Sequence, residues 1–359
     1  MKLRNLRLIN FKNHKNSSWE FINNINCFVG NNGCGKTNIL DAIHYLSFSK
    51  SYFNSQDPYS VNFDSDFFTI KGGFEKQDMI SEIICNFSTN SGKSLKINDK
   101  KYKRFSDHIG SFPVILISPT DTNLIIEGGD TRRRYINSGI SQFNDNYLKD
   151  LILYRKALKN RNVLLRKFKD NQLFDNSTLS IYDNILSTHA ISIFNERNNY
   201  LEKLMPVFQK YYNLISENKE LVGIEYVSSI KNNNFLEQLK ESIRLDRISC
   251  RTSVGIHKDD LVFTLNGYPI KRHGSQGQQK SFLISLKLAQ FEFIKQRLNI
   301  CPILLLDDIF DKLDDSRVES LVSLVKNGLF EQVFITDTNF DRSNSILRKT
   351  DLKYSVFKL

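Results

Sequence analysis

The spacing of apolar positions divides this chain into three stretches. Over the first ~130 residues it is the spacing of short strands and turns, with one early helix. Residues 1–10 alternate between apolar and polar side chains, as a first strand does. Ile25-Asn26-Cys27-Phe28-Val29 is an apolar run that predicts a buried strand. Between Asn38 and Leu46 apolar residues then recur at helical spacing. Ile97-Asn98-Asp99-Lys100-Lys101-Tyr102 predicts a hairpin, and Val114-Ile115-Leu116-Ile117 a short buried strand ending at Ser118-Pro119.

From about Asn146 the period changes. Leu148, Leu151, Ile152, Leu158, Leu165 and Phe168 recur at helical spacing among many Lys and Arg. A polar break at Asp170-Asn171-Gln172 precedes a second helical stretch through Ile181, Ile185, Ile193, Leu201, Leu204, Phe208 and Tyr211. Two such stretches joined by a short break predict an antiparallel helical arm, or equally a compact helical lobe. Strand character returns after Ser249. Leu261-Val262-Phe263-Thr264-Leu265 is followed by Asn266-Gly267, a two-residue hairpin signal, with a return strand from Tyr268 to Arg272. A long helix is expected from Ser281 to Leu298, with Phe282, Leu286, Ala289 and Phe293 on one face.

Between the first buried strand and the first helix lies Gly30-Asn31-Asn32-Gly33-Cys34-Gly35-Lys36-Thr37. This is the phosphate-binding pattern G-x-x-x-x-G-K-[ST], in the strand-to-helix setting it requires. Glycines let successive backbone N–H groups turn inward around a phosphate, and the helix N-terminus adds partial positive charge. Lys36 is placed to reach the β- and γ-phosphates of a nucleotide, and the Thr37 hydroxyl to hold Mg²⁺.

Composition narrows the setting. The chain has 359 residues, enough for about two domains, and 40% hydrophobic residues, enough for a real core. There is no run of about 18 apolar residues and no signal-peptide core at the N-terminus, so no membrane partner is expected. Five scattered cysteines without metal-site spacing predict reduced thiols and a cytoplasmic location. The net charge of +11 is unevenly spread. Residues 131–170 hold 11 Lys and Arg against 3 Asp, and residues 93–104 hold six basic residues against Asp99 alone. Clustered positive charge predicts a polyanionic partner.

Two further elements bear on chemistry. Ile303-Leu304-Leu305-Leu306-Asp307-Asp308 is a buried strand ending in two carboxylates. Asp307 is expected beside the phosphate loop, sharing Mg²⁺ with Thr37, and Asp308 is expected to position or deprotonate the attacking water. Ser275-Gln276-Gly277-Gln278-Gln279-Lys280 precedes the long helix. A serine N-cap with glycine close behind is an anion site, or taken alone an ordinary capped helix.

Loop, capped helix and Asp pair, in that order, resemble the ABC-type ATPases of the SMC branch. The match extends to the RecF family. Leu8-Ile9-Asn10-Phe11-Lys12-Asn13 resembles its opening strand. Ile117-Ser118-Pro119-Thr120-Asp121 followed by Thr131-Arg132-Arg133-Arg134-Tyr135 resembles its segment after the Q-loop. Gly255-Ile256-His257-Lys258-Asp259-Asp260-Leu261 is similar to its Gly-Pro-His-Arg-Asp-Asp element, and Asp311-Lys312-Leu313-Asp314 to its D-loop. There are three departures from the pattern: Lys312 replaces a Glu, Ile256 a Pro, and Thr336-Asp337-Thr338 stands where ABC transporters carry a switch histidine.

The resemblance implies an α/β fold, an ABC-type ATPase head with an inserted helical arm or lobe. The expected boundaries are 1–135 with 249–359 for the ATPase lobe and 136–248 for the arm. It implies ATP-dependent homodimerisation, in which Ser275, Gly277 and Gln278 contact the γ-phosphate held by a facing subunit, and binding to single-stranded DNA and gap junctions. Asp308, one methylene shorter than the Glu usual in ABC ATPases, predicts slow ATP hydrolysis used as a switch. The resemblance further implies work with RecR and RecO in loading recombinase during repair, replication and the SOS response. Arg132, Arg133, Arg134, Lys156, Lys159, Arg161, Lys100 and Lys101 are the basic residues expected at DNA, the three arginines having a rival role in bracing the ATP lobe. The alternative is another SMC-like or ABC-type ATPase, such as a transporter subunit. Such a subunit would set its signature closer to the phosphate loop, whereas Gly30 and Ser275 are 245 positions apart here.

Overall fold

Alternation in the first strand, β1 (Lys2–Phe11), buries Leu3, Leu6, Leu8 and Phe11. The step from Leu3 to Leu6 breaks the two-residue period, and a register shift between Leu3 and Asn5 restores it. The computed structural model describes residues 1–54, 56–216, 220–230, 234–309 and 315–359. They form two compact units, one of Met1–Thr122, Val207–Lys219 and Ser275–Leu359, the other of Asn123–Pro206 and Glu220–Gly274.

The first unit holds two sheets. One is antiparallel, in the order β2-β1-β4-β5-β6-β7, from β2 (His14–Glu20), β4 (Phe67–Lys76), β5 (Met79–Ser88), β6 (Gly92–Ile97) and β7 (Lys100–Lys101). Asn98 and Asp99, both at positive φ, make the β6–β7 turn. The other sheet is parallel, in the order β14-β3-β13-β12-β8. Its strands are β3 (Ile25–Val29), β8 (Val114–Ile117), β12 (Ile303–Asp307), β13 (Val333–Asp337) and β14 (Tyr354–Lys358).

Helix α1 (Lys36–Phe48) packs against strands of both sheets and is buried at every position from Ile39 to Phe48. It is apolar on most of its surface for that reason. Phe21, Phe28 and Phe334 fill the same core, Phe21 and Phe334 edge-to-face at 4.8 Å. Truncating one such ring to Ala costs about 3–5 kcal/mol. The signature helix α9 (Gln276–Leu298), α10 (Asp315–Lys326) and α11 (Phe340–Arg348) complete the unit.

The second unit contains α2 (Asn123–Ile126), α3 (Gly129–Ser141), α4 (Asp145–Asp170), α6 (Phe235–Glu241), α7 (Ile243–Ser249) and α8 (Ile270–His273). It also contains a three-stranded antiparallel sheet of β9 (Val222–Val227), β10 (Asp260–Leu265) and β11 (Tyr268–Pro269). The long helix α5 (Asn176–Ser216) crosses the unit boundary at Pro206. Asn266 and Gly267, both at positive φ, form the expected turn between β10 and β11.

These divisions differ from the expected boundaries at 135 and 249, both of which fall inside the second unit. The reason is a set of ion pairs and hydrogen bonds between α3 and β10. Arg132 grips the Asp260 carboxylate with two nitrogens, at 2.7 and 2.8 Å, and Arg133 donates to the Asp259 carbonyl at 2.7 Å. Nor is the inserted region wholly helical, since β9 lies within it.

Candidate functional site

The phosphate loop leaves the end of β3 and enters α1. Gly35, the N-cap, has φ of 105°, and a Cβ there would stand 2.6 Å from the Asn13 amide and the His14 ring. The turn between β1 and β2 thus braces the loop from outside. His14 Nε2 lies 3.1 Å from the Gly35 carbonyl, Asn13 Nδ2 donates to Gly33 O at 3.3 Å, and Asn38 donates to Asn13 Oδ1 at 2.8 Å. Burial pushes the His14 pKa down, which favours the neutral ring. In that form Nε2–H donates to Gly35 and Nδ1 accepts from Ser17, 3.2 Å away. This brace was not foreseen from the loop motif, although Asn13 closes the opening-strand segment.

Lys36 is buried, and its ammonium donates to the carbonyls of Gly30 at 2.7 Å and Asn31 at 2.9 Å. Thr37, one residue on, donates its hydroxyl hydrogen bond to Asp307 Oδ1 at 2.8 Å. The parallel register explains the meeting: β3 and β12 flank β13, so the loop after one stands near the end of the other. Thr336 of β13 donates to the same Asp307 oxygen at 2.8 Å and accepts from the Asp308 backbone N–H at 2.9 Å. Thr336, in the Thr336-Asp337-Thr338 segment that stands where ABC transporters carry a switch histidine, therefore binds both members of the Asp pair. Its contacts could not be read from its residue type.

Burial pushes the Asp307 carboxyl above its ordinary range, with the two hydroxyls opposing. A buried carboxylate beside a threonine hydroxyl is an all-oxygen donor set and fits a hard divalent cation. Among the described residues no group of three or more His, Cys, Asp or Glu could hold a metal. A cation here would complete its shell with phosphate oxygens and water. Asp308 takes φ of 47°, a left-handed turn out of the strand that Asp tolerates.

Ser275 is exposed and caps α9 in a reciprocal box: its hydroxyl accepts from Gln278 N at 3.2 Å, and its own N–H donates to Gln278 Oε1 at 2.7 Å. Gly277 faces the Arg317 guanidinium, which a Cβ would approach to 3.1 Å, and Arg317 donates to the buried Ser281 hydroxyl at 2.7 Å. Further along α9, buried Lys287 lies 3.1 Å from the Asp121 carboxylate and donates to Leu116 O at 3.1 Å. The structure thus brings Lys36, Thr37, Asp307 and Asp308 together, and groups Ser275, Gly277 and Gln278 at one helix end. Asp311, Lys312, Leu313 and Asp314 lie outside the described residues.

The basic candidates separate. Lys100, Lys101, Arg134, Lys156 and Lys159 are exposed. Arg132 is bonded to the Asp260 carboxylate and Arg133 to the Asp259 carbonyl, all within the second unit and not in the ATP lobe that their rival reading had them brace. Arg161 is corrected outright: it is fully buried, bonded to Asp183 and Asp246 at 2.6 Å each and to Thr252 at 2.9 Å. A charge there cannot reach a phosphate.

Arg197, not singled out from the sequence, is a second buried hub, bonded to Asp259 at 2.8 Å, Asn137 at 3.0 Å and the Ile256 carbonyl at 3.2 Å. The Gly255 to Asp260 segment serves these arginines. His257 Nδ1 meets the Tyr154 hydroxyl at 2.7 Å within it.

Residues 2–350 match the family model for the RecF/RecN/SMC N terminal domain. A DNA replication and repair protein RecF of Flavobacterium johnsoniae is 46% identical over the whole of both chains. Its counterpart from Phocaeicola vulgatus is 44% identical, covering 99% of this chain and 96% of the relative. Among solved structures, the recombination mediator protein RecF-ATPrS of the RecFOR pathway is 33% identical, with a TM-score of 0.87 over 100% of this chain and 96% of that one. An Smc head bound to the C-winged helix domain of ScpA shares the fold, at 15% identity and a TM-score of 0.55. With the loop, the capped helix and the Asp pair in the same order along its full length, the chain belongs to the RecF family of DNA replication and repair proteins, an SMC-like group of ABC-type ATPases.

Proposed function

We propose that this chain is an ATP-operated DNA clamp, in which nucleotide binding closes a homodimer and slow hydrolysis reopens it. The observation that carries the reading is the contact of Thr37 with Asp307, which joins the phosphate loop to the strand bearing the Asp pair. In this reading the backbone from Gly30 to Gly35 cradles the phosphates, with Asn31, Asn32, Gly33 and Cys34 supplying the turn. Lys36 releases its two loop carbonyls to bind the β- and γ-phosphates. Thr37 and Asp307 hold Mg²⁺, which when bound neutralises phosphate charge. Asp308 orients or deprotonates the water.

Ser275, Gly277 and Gln278 act on the nucleotide of the facing subunit. The exposure of Ser275 at the N-terminus of a 23-residue helix, with Gly277 and Gln278 half-buried behind it, supports action in trans. DNA is held by phosphate contacts from exposed basic residues, of which Lys100, Lys101, Arg134, Lys156 and Lys159 remain candidates. Single-stranded DNA and gap junctions are the substrates this reading favours, and RecR and RecO the partners. The solved relative described as a recombination mediator of the RecFOR pathway supports that assignment.

A mixing experiment tests the mechanism. Ser275→Arg is expected to spare ATP binding by the monomer but block ATP-driven dimerisation, read by light scattering. Lys36→Met is expected to lose ATP affinity in a calorimetric titration. Mixed together, the two chains form one intact composite site, so partial ATP-dependent dimerisation is expected from the mixture alone. Loss of nucleotide binding by monomeric Ser275→Arg would overturn action in trans.

A further inference from the structure

Helix α4 has two faces of opposite character. Its buried stripe is Tyr147, Leu151, Tyr154, Ala157, Arg161 and Leu165. Rotated away from that stripe, Arg155, Leu158, Lys159, Asn162, Val163 and Arg166 line an open cleft of about 400 Å³. Arg155, Lys159 and Arg166 are exposed, and no ion pair among the described residues includes them. No acidic residue lines the cleft.

The spacing is regular. Steps of four, three and four residues from Arg155 through Lys159 and Asn162 to Arg166 stay on one side of a helix. At about 1.5 Å per residue the stripe is about 16 Å long. Phosphates of one duplex strand advance about 3.4 Å each along the axis, so the stripe spans about five of them. The helix is rigidly held from behind. Arg161 is tied to Asp183, Asp246 and Thr252, and Asn162 Oδ1 accepts from both the backbone N–H and the hydroxyl of Thr252 at 2.8 Å. Cations on a pre-ordered element lose less entropy on binding. The two guanidinium groups can each meet a phosphate with two parallel hydrogen bonds. A protein partner would be expected to find an aromatic or deep aliphatic anchor site at the centre, and this cleft offers only Leu158 and Val163.

We propose that the Arg155–Lys159–Arg166 face of α4 is a contact surface for the sugar-phosphate backbone of DNA. The proposal rests on the DNA-binding reading above and adds Arg155 and Arg166 to it.

The test is fluorescence anisotropy of the full-length chain on a labelled, gapped oligonucleotide duplex, with ATP, over a salt series. Arg155→Ala with Arg166→Ala is compared with Lys149→Ala and Lys167→Ala. The second pair removes the same charge from exposed positions on another side of α4. The cleft pair is expected to lower affinity on the order of tenfold and to reduce the slope of log affinity against log salt by about 1.8, about 0.9 per lost phosphate contact. The control pair is expected to leave the slope unchanged.

Arg155→Lys with Arg166→Lys retains charge and should restore the slope, which separates contact from misfolding. Equal effects from both pairs, or none from the cleft pair on a DNA-binding wild type, overturn the proposal, including the case in which an acidic protein segment occupies the cleft. A wild type with no salt-dependent DNA affinity overturns the DNA-binding reading itself.

Discussion

Thr37 and Asp307 stand 270 positions apart in the chain and share a hydrogen bond of 2.8 Å. The same carboxylate oxygen also accepts from Thr336, so two hydroxyls converge on one atom of a buried acid. Burial raises the Asp307 pKa, so the native state holds that proton more tightly than the unfolded chain does. Stability from this group is therefore present at low pH and lost as pH rises from the ordinary carboxylate range through the native pKa. Above that window the ionised form is a standing cost that a bound cation relieves.

Asp307→Asn keeps an oxygen acceptor for both hydroxyls and removes the charge. The nucleotide-free protein should melt a few degrees higher at neutral pH, by about 2 °C or more. The added stabilisation by ATP with Mg²⁺ should disappear. Differential scanning fluorimetry with and without nucleotide reads both. A lower melting point in the nucleotide-free variant would contradict the assignment of Asp307 as a buried charge awaiting a cation.

Asp308 carries the next test. Its backbone is fixed by Thr336, at 2.9 Å to the hydroxyl and 3.2 Å to the carbonyl, while its side chain is one methylene shorter than the Glu common in ABC ATPases. Asp308→Asn should reduce turnover by roughly 10²–10⁴-fold, as loss of a general base does. ATP binding should survive, and ATP-bound dimers should outlive those of the wild type. Dimer lifetime after dilution of ATP, followed by light scattering, decides the point. Decay at the wild-type rate would remove Asp308 from the role of base.

Arg161 makes the opposite kind of prediction. Arg161→Ala strands two buried carboxylates, Asp183 and Asp246, and should cost about 3–5 kcal/mol of stability in urea titration. Where the variant is folded, the salt dependence of DNA binding should match the wild type, because the group does not meet solvent. A reduced salt slope would restore Arg161 to the DNA surface.

Burial lowers the pKa of His14, His44, His108 and His257, and His44 and His257 shift furthest. Burial pushes His44 down to about 4, and His257 likewise to about 4. Both take up protons more readily when unfolded, at about pH 6.5. Stability is therefore complete above that value and falls as pH drops from about 6.5 towards 4. The melting temperature should decline across this interval. His257→Gln should flatten the decline even if it lowers the plateau, since Tyr154 loses its ring partner. A profile flat from pH 7 to 5 would exclude neutral buried imidazoles.

Much of this architecture is legible in local residue order. The phosphate loop, both Asn- or Gly-bearing turns and the break between α4 and α5 depend on neighbours in sequence, and they stand where apolar spacing and turn residues place them. The partition into units is not legible. It depends on Arg132 finding Asp260, 128 positions away, and an arginine destined for a carboxylate reads the same as one destined for a phosphate. Arg161 illustrates this, since its place on the buried stripe of α4 shows only once Tyr154 and Leu165 are seen to share that stripe. Thr336 and the Asn13–His14 brace escaped for the same reason: their partners are loop carbonyls and carboxylates from other strands.

Strand β3 has β13 on one side and β14 on the other, and at the edge of the core Leu3 exchanges hydrogen bonds with Gln332, 329 positions later. A ribosome adding ~5–20 residues per second takes roughly 15–60 s to pass from β3 to β13. Throughout that interval β3 has two open edges and the phosphate loop has no sheet beneath it. The loop sequence emerges early, but a nucleotide site is acquired only when the last strands arrive. Nascent chains stalled short of β13 should therefore be blind to ATP, and the unpaired β3 is the stretch that chaperones must keep from pairing with other chains.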